Sequence, residues 1–303
     1  MSKLAKFFII CAAVCVLGIV MTFAGYAAGG VDDLQKVADK HDWLNVGPNS
    51  TETDLFTVGE FQSIEAEGSL DIAIVSPGQD LQGEEAPDFT EEIYAEGVAG
   101  TVAVRWGKGY EMPEVVNEEG VLKIKGSDES IDHVEVNLSG GDLSPDVIIF
   151  CADQKLDSIQ IEDKYGDVSI DGVEAGTITA GTESGDIEVV GTTCDKLNAA
   201  ANTGDLNAGH VTCSEMTMKT NTGDIDIQDA VGNVSAEVTT GDIEFETDLP
   251  KNQYEISVST NTGTISIGEE EIESENSVSL PGGPNKLTLK TTTGDIDLDF
   301  MED

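Results

Sequence analysis

The residues best suited to chemistry are aspartates that recur at a fixed interval in the second half of the 303-residue chain. Each directly follows a glycine, within a repeated Gly-Asp-(Ile/Val/Leu) tripeptide. The six are Asp167, Asp186, Asp205, Asp224, Asp242 and Asp295. Further acids follow shortly after: Glu188, Asp226, Glu244 and Asp297. Hard cations prefer carboxylate oxygens, so a column of these side chains is a candidate site for Ca²⁺ or Mg²⁺.

A second interpretation of the six aspartates needs no metal. Asp side chains at turns commonly accept hydrogen bonds from nearby backbone N–H groups, so each could satisfy its own turn. The sequence also lacks the Gly/Asp nonapeptide that is typical of calcium-binding solenoids. The pattern therefore favours the turn interpretation, with Ca²⁺ as the alternative and no other cofactor.

Two cysteines occupy the same repeat position. Cys194 and Cys213 each lie nine residues after the glycine of their own repeat. If the repeats stack as strands about 4.8 Å apart, the two Cα atoms fall within the roughly 4.4–6.8 Å that a disulfide needs. The sequence leaves two states open, a disulfide and a reduced pair of small apolar side chains. Cys151 has no equivalent partner and is expected to be a free thiol.

Few other residues could support catalysis. The chain contains three histidines (His41, His133 and His210) and one arginine, Arg105. It lacks the Gly-x-Ser-x-Gly, His-Glu-x-x-His and Gly-x-x-x-x-Gly-Lys motifs. Pairs of carboxylates like those of glycosidases would arise from composition alone in so acidic a chain. The sequence therefore predicts no catalytic residues and a protein that is not an enzyme.

The charge restricts the partners. There are 59 acidic residues against 15 lysines and arginines, for a net charge of −44. Such a surface repels phosphate, which excludes nucleic acid as a partner. The 33 glycines, the 5% of aromatic residues and the 39% of hydrophobic residues are typical of a turn-rich β protein with a core.

The tripeptide defines a repeat of about 19 residues. Counting the variant Gly263-Thr264-Ile265, seven copies are separated by 19, 19, 19, 18, 22 and 31 residues. Each repeat holds two stretches in which apolar and polar residues alternate, for example Asp186–Val189 and Lys196–Ala199. One such strand pair cannot bury its apolar face alone, whereas stacked copies can. The sequence predicts an all-β fold, a parallel β-solenoid, with an antiparallel sandwich as the alternative. In that stack Lys219 and Glu237 lie on adjacent rungs.

The amino-terminal part is expected to anchor the chain. Residues 7–28 contain no charge and would form a helix about 33 Å long, enough to span a bilayer. Lys3 and Lys6 precede it and Asp32 and Asp33 follow it, which favours a cytoplasmic amino end. We therefore predict a single-pass protein of the cell membrane whose carboxy-terminal domain is extracytoplasmic. A cleaved secretory signal is the alternative.

Four segments follow from these patterns. The cytoplasmic tip and transmembrane helix occupy residues 1–30, and a juxtamembrane stalk or linker occupies residues 31–55. Residues 56–150 are degenerate rungs with long acidic loops that cap the stack, or else a separate small β domain. The regular solenoid occupies residues 151–303, and residues 294–303 are expected to form its last rung.

The anchor, the Gly-Val-Leu-Lys-Ile strand at residues 120–124 and the Thr-Gly-Asp-Ile corners at 222–225 and 293–296 resemble the DUF4097 family. The similarity extends over roughly residues 56–300. Members are bacterial surface β-repeat proteins grouped under the adhesin label, with no agreed catalytic residues to transfer. The resemblance implies a non-enzymatic surface module that binds an envelope protein or glycan. The alternatives are an accessory protein of the envelope-stress response, acting through another membrane protein, and a polysaccharide-active enzyme.

Overall fold

The computed structural model describes residues 44–47, 51–76, 98–107, 110–127, 134–137, 145–152, 154–268, 270–271 and 276–301. The predicted anchor at residues 7–28 lies outside these ranges, as do His41 and His133. Within them, no helix has both the length and the apolar character needed to cross a bilayer.

Strands make up almost all of the described regular structure. They are β1 (Leu44–Gly47), β2 (Thr51–Thr57), β3 (Ser63–Gly68), β4 (Asp71–Val75), β5 (Thr101–Gly107), β6 (Glu114–Glu118), β7 (Val121–Lys125), β8 (Val134–Asn137), β9 (Asp146–Phe150), β10 (Leu156–Tyr165), β11 (Val168–Asp171), β12 (Glu174–Ser184), β13 (Ile187–Val190), β14 (Thr193–Thr203), β15 (Leu206–Gly209), β16 (Thr212–Thr222), β17 (Ile225–Gln228), β18 (Val231–Thr240), β19 (Ile243–Pro250), β20 (Tyr254–Thr262), β21 (Ile265–Ile267), β22 (Glu270–Glu271), β23 (Ser277–Leu280), β24 (Asn285–Thr293) and β25 (Ile296–Met301). A single 3-10 turn, Lys251–Gln253, is the one helical element among the described residues. β1 and β2 show that part of the stretch assigned to a linker is β structure.

The chain divides into two compact units. The first comprises residues 1–50 and 129–142, and its described part is a parallel pair of strands, β1 and β8. The second comprises residues 51–128 and 143–303 and contains the remaining strands.

The second unit is a solenoid-like stack of rungs. Its two sheets have 11 and 12 strands, and each regular rung places a long strand in one sheet and a short strand in the other. Successive rungs pair in parallel and in register, so that Ile178, Leu197 and Met216 are aligned. The parallel pairing confirms the predicted stack at this level and excludes the antiparallel sandwich for these rungs.

The core lies between the two sheets. Alternation places the apolar residues of every strand inward, where like side chains form columns such as Ile187, Leu206 and Ile225. These three side chains are at most 1% exposed. Burying one such side chain stabilises the fold by about 1.5–3 kcal/mol, so the columns hold the rungs together.

The order of the rungs differs from the order of the chain. β24 and β25, from the carboxy-terminal repeat, lie between the β18–β19 rung and the β20–β21 rung. The expectation that residues 294–303 form the last rung is therefore wrong. Insertion places Lys290 beside Glu237, where direct stacking of β20 would have placed Ser259. The attraction between Lys290 and Glu237 therefore favours stacking of β24, rather than β20, on β18.

The amino-terminal rungs show a similar exchange. The β3–β4 rung lies next to β10 and β11, while β7 and β9, which come later in the chain, lie beyond it. Strands β3, β4, β7 and β9 therefore belong to the same two sheets as the regular repeats.

Antiparallel strands cover both ends of the stack. β6 pairs with β7 and β5 with β9 at one end, while β23 pairs with β20 and β22 with β21 at the other. Covering an open edge in this way limits its pairing with other chains. An aromatic cluster of Phe245, Tyr254 and Phe300 fills the interior near the second end, with ring centroids 5.5–6.0 Å apart.

Candidate functional site

The Gly-Asp corners form a column along one side of the stack. Every corner glycine except Gly166 has a positive φ, for example 147° at Gly204 and 137° at Gly223. A Cβ added at Gly204 would lie 1.9 Å from the carbonyl oxygen of Gly185 on the previous rung. Both the backbone conformation and the close approach require glycine here, which explains why the repeat keeps it.

The corner aspartates form a hydrogen-bonded ladder from rung to rung. The N–H of Asp186 donates to Oδ1 of Asp167 at 2.8 Å, and the N–H of Asp205 donates to Oδ1 of Asp186 at 2.6 Å. The same bond joins the remaining aligned pairs at 2.6–3.0 Å: Asp71 to Asp167, Asp205 to Asp224, Asp224 to Asp242, Asp242 to Asp295, and Asp295 to Thr264.

This ladder corrects the expectation that each aspartate binds its own turn. The backbone N–H of each corner aspartate points at the adjacent rung. The aspartate of that rung is within reach, because parallel strands place aligned residues about 4.8 Å apart. Each carboxylate therefore accepts the N–H of its neighbour instead. A neutral backbone donor sits between successive charges, which offsets part of their mutual repulsion.

A second column lies one step inward from the corners. The hydroxyls of Thr220, Thr260 and Thr291 each donate to a corner glycine carbonyl at 3.0 Å. At the amino-terminal end of this column Asp163 replaces threonine. Its Oδ1 accepts the N–H of Leu70 at 2.9 Å, and its Oδ2 has no hydrogen-bond partner among the described residues. Burial raises the pKa of Asp163 to about 7.

A field of carboxylates covers part of the outer face of the 12-stranded sheet. Asp226, Glu244 and Asp297 are aligned on three consecutive rungs, and Glu246 and Asp299 are aligned beside them. Desolvation, followed by the charge of Glu246, raises the pKa of Asp226. Desolvation and the surrounding acids also raise the pKa of Glu244. Glu188 lies two rungs from Asp226, with Asn207 between them.

The structure gives the candidate cation site no further support. In the described ranges, no group of three or more His, Cys, Asp or Glu side chains is arranged to hold a metal ion. Binding of Ca²⁺ by the corner aspartates stays the alternative to the turn interpretation.

An open groove of about 510 Å³ lies on the outer face of β3, β6, β7 and β10. Five of the side chains that line it are glutamates: Glu65, Glu67, Glu114, Glu118 and Glu162. Its two lysines bind two of them, with Lys123 Nζ 2.9 Å from Glu118 and Lys125 Nζ 2.7 Å from Glu67. The groove is therefore acidic and partly neutralised.

The single arginine of the chain, Arg105, is half-buried and contacts a buried acid. Arg105 contacts Asp146 through Nε and Nη2, and the Asp146 side chain is 3% exposed. Burial raises the pKa of Asp146 to about 7, although the guanidinium of Arg105 opposes the shift. Asp71 lies on the adjacent rung and adds to it. Sequence reasoning missed this pair, because the two residues come from different and irregular rungs.

The charged ladder on the 11-stranded sheet confirms one predicted contact and adds another. Lys219 Nζ lies 3.2 Å from Glu237, as the alignment of the repeats predicts. Lys290 approaches Glu237 from the inserted rung at 2.9 Å. The two lysines lower the pKa of Glu237. Such exposed pairs contribute little stability but help to fix the register.

The two aligned cysteines lie side by side. Cys194 and Cys213 are direct partners in the pairing of β14 with β16, their side chains face the core, and their sulfurs are 3.0 Å apart. The residues are 5% and 3% exposed. A hydrogen bond from Cys194 lowers the pKa of Cys213 to about 7 and raises that of Cys194. Cys151 is also buried, and its pKa is raised to about 12 by burial.

His210 occupies the second corner of its rung. It has a φ of 53°, and its Nδ1 lies 3.4 Å from Oδ2 of Asp229, which has a φ of 52°. The side chain of His210 is 64% exposed, so this contact is at the surface. Gly191 holds the aligned position on the preceding rung with a φ of 58°.

Comparison with known proteins gives one family match. Residues 105–299 match the family described as Toastrack DUF4097. The chain matches no curated protein in sequence.

Three solved structures show similarity to this chain. A candidate adhesin from Bacteroides fragilis is 13% identical, with a TM-score of 0.41, over 82% of this chain and 97% of that one. A candidate adhesin from Parabacteroides distasonis is 13% identical, with a TM-score of 0.37, over 83% and 98%. A candidate cell adhesion protein from Clostridium sporogenes is 10% identical, with a TM-score of 0.32, over 83% and 99%.

Proposed function

The chain belongs to the Toastrack DUF4097 family, and from that premise we propose that it is a non-enzymatic, membrane-anchored binding module. A helix at residues 7–28 tethers it, and the β stack acts outside the cytoplasm. The stack binds a basic surface of an envelope or cell-surface protein.

The observation that carries this proposal is the carboxylate field on the 12-stranded sheet. Asp226, Glu244 and Asp297 repeat along the stack at the strand spacing, and Glu246 and Asp299 double the column. All five are exposed. Desolvation is the larger cause of the raised pKa values of Asp226 and Glu244, and the charge of neighbouring acids adds to it. A positively charged partner would relieve that second contribution. Complementary charge of this kind favours both fast association and the choice of partner.

The rigidity of the support strengthens the argument. Each carboxylate projects from a strand whose inward neighbours, such as Ile227 and Phe245, are fully buried. The field therefore holds its spacing without a partner, so little conformational entropy is lost on binding.

Binding can be tested with charge-neutral variants of the full chain. Replacing Asp226, Glu244 and Asp297 by Asn, Gln and Asn should weaken binding to a 20-residue lysine-rich peptide and to untreated envelope vesicles. Each lost contact at a binding surface costs about 0.2–1 kcal/mol, so the triple variant should lose roughly 3- to 140-fold in affinity. The matched control replaces Glu174, Glu183 and Glu255 by Gln on the other sheet.

Two outcomes would contradict the binding proposal. Equal losses in the test and control variants would mean that net charge alone governs association. Unchanged binding to envelope vesicles after their proteins are digested would favour a glycan as the ligand.

The location can be tested separately. We expect the protein to sediment with membranes and the residues of the β stack to be cleaved by protease added to intact cells. Recovery in the soluble cytoplasmic fraction would contradict the anchor.

A deletion strain that attaches normally but responds differently to antibiotic stress would favour the accessory role. Release of sugars from envelope polysaccharides by the purified chain would contradict the non-enzymatic assignment.

A further inference from the structure

The cysteine pair on β14 and β16 is the cluster of reactive side chains that the proposed binding function does not use. Cys194 and Cys213 lie in register on adjacent parallel strands, with their sulfurs 3.0 Å apart. A disulfide needs about 2.0 Å between the sulfurs and roughly 4.4–6.8 Å between the Cα atoms. Neighbouring strands of a sheet already provide the second distance, so a small side-chain rotation would be enough to form the bond.

The surroundings distinguish this pair from the third described cysteine. Cys151 is fully buried and forms no disulfide with the other two described cysteines, and burial raises its pKa to about 12. Cys213 shares a hydrogen bond with Cys194, which holds its pKa near 7. A thiolate is the attacking species in disulfide exchange, so Cys213 is the more reactive of the pair.

We propose that Cys194 and Cys213 form an intrachain disulfide that joins two adjacent rungs in the middle of the regular stack. The oxidant is a disulfide, either a small molecule such as oxidised glutathione or the disulfide of a thiol oxidoreductase. This site is independent of the ligand that the carboxylate field binds.

The reaction proceeds by two exchanges. The Cys213 thiolate attacks one sulfur of the oxidant, which forms a mixed disulfide and releases one thiolate. The Cys194 thiol loses its proton and its thiolate attacks the Cys213 sulfur, which forms the intrachain bond and releases the second thiolate. Two protein thiols are oxidised, one disulfide is reduced to two thiols, and the protons pass to the leaving groups.

Burial controls when the bond forms. Because the two residues are only 5% and 3% exposed, an oxidant reaches the sulfurs when the two rungs separate or before they stack. Oxidation should therefore be fast during folding and slow in the folded protein. A bond already formed is shielded from reductants for the same reason.

The direct test uses peptide mapping of the full chain. The reduced chain is refolded with oxidised glutathione, quenched in acid, alkylated and digested with trypsin. Cleavage after Lys164, Lys196 and Lys219 places Cys194 in peptide 165–196 and Cys213 in peptide 197–219. We expect the two peptides to be recovered as one linked species, two hydrogen atoms lighter than their sum, with Cys151 alkylated. Full alkylation of Cys194 and Cys213 would overturn the proposal.

A stability measurement provides the second readout. In the chain-entropy description, a bond closing a loop of about 20 residues should raise the melting temperature of the oxidised chain by roughly 5–10 °C. The Cys194→Ala/Cys213→Ala variant should lose this sensitivity to reductant, and Cys151→Ala should keep it. Equal melting of oxidised and reduced wild-type chain would contradict the proposed staple. The experiment needs no membrane, so it is independent of the proposed location.

Discussion

At the scale of single residues, the backbone restricts the amino acid most strongly at the corner glycines. Gly204 has both a positive φ and a carbonyl oxygen where a Cβ would lie. Neither constraint depends on side-chain packing, so neighbouring side chains cannot relieve it by rotating.

The first prediction compares two glycines of neighbouring corners. Gly204→Ala should destabilise the protein by at least about 2 kcal/mol, because the backbone is strained and the added methyl overlaps the Gly185 carbonyl. Gly209→Ala is the control, since its Cβ would meet only Val190 at 3.7 Å. It should change stability by less than about 1 kcal/mol. Urea unfolding measures both, and equal effects would contradict the corner argument.

The second prediction concerns the buried carboxylate of Asp163. Its folded-state pKa is raised from 3.8 to about 7, so the folded protein binds the extra proton between these values. Stability from this group is therefore fully present below about pH 4 and is lost as the pH rises through about 7. Asp163→Asn should remove this dependence and stabilise the protein at pH 8 by on the order of 2–4 kcal/mol.

A control separates Asp163 from the general effect of the acidic surface. Asp157 is an exposed residue of the same strand, so Asp157→Asn changes the net charge equally. Melting curves between pH 4 and pH 8 should show a flattened profile for Asp163→Asn alone. Parallel profiles for both variants would mean that Asp163 titrates normally.

At the scale of elements, the strands were largely predictable and their order was not. Alternation in Asp186–Val189 and Lys196–Ala199 predicted strands where β13 and β14 lie. Period-two alternation depends on local sequence, whereas the order of the rungs depends on side-chain contacts between repeats that are distant in the sequence. The contact of Lys290 with Glu237 illustrates this, because nothing near Lys290 in the sequence indicates the repeat beside which it stacks.

The candidate site was predictable to the same extent. The repeat predicted the column of corner aspartates and the neighbouring positions of Cys194 and Cys213. It could not indicate which N–H each aspartate accepts, because that depends on the stagger between rungs. It also could not identify Asp163 as buried, because one aspartate in so acidic a chain is inconspicuous.

The third prediction tests the inserted rung. Deleting residues 285–303 removes an interior rung, so β18 and β20 lose their shared partner β24. The shortened protein should have two unpaired edges and should associate or unfold, as measured by size-exclusion chromatography and circular dichroism. A synthetic peptide of residues 285–303 should restore a monomer with the wild-type melting temperature.

The control for this deletion carries the same peptide with Leu287 and Leu289 replaced by Asp. Both leucines are at most 1% exposed in the core, so this peptide should not restore folding. A deletion protein that stays monomeric and folded would show that residues 285–301 form a dispensable end rung after all.

At the scale of the whole molecule, net charge opposes compactness. The whole chain has a formal charge of −44, which creates self-repulsion that folding must overcome. Salt shortens the range of that repulsion to about 8 Å at physiological ionic strength. Stability should therefore rise with ionic strength even without a specific ion site.

The fourth prediction separates screening from specific binding. Because backbone N–H groups already occupy Oδ1 of each corner aspartate, we expect Ca²⁺ and Mg²⁺ at equal ionic strength to raise the melting temperature equally. EDTA at constant ionic strength should change nothing. A larger increase with Ca²⁺, abolished in Asp205→Asn but retained in Asp157→Asn, would instead establish the aspartate column as a calcium site.

The exchanged rung order links folding to synthesis. The ribosome makes residues 254–267 before residues 285–301, yet the earlier segment stacks on the later one. A nascent chain therefore cannot seal this end of the stack repeat by repeat as it emerges. The place beside β18 that β24 occupies stays unfilled until residues 285–301 have been synthesised. Incomplete chains from interrupted translation would therefore keep an unpaired strand edge at that end, where proteases could attack.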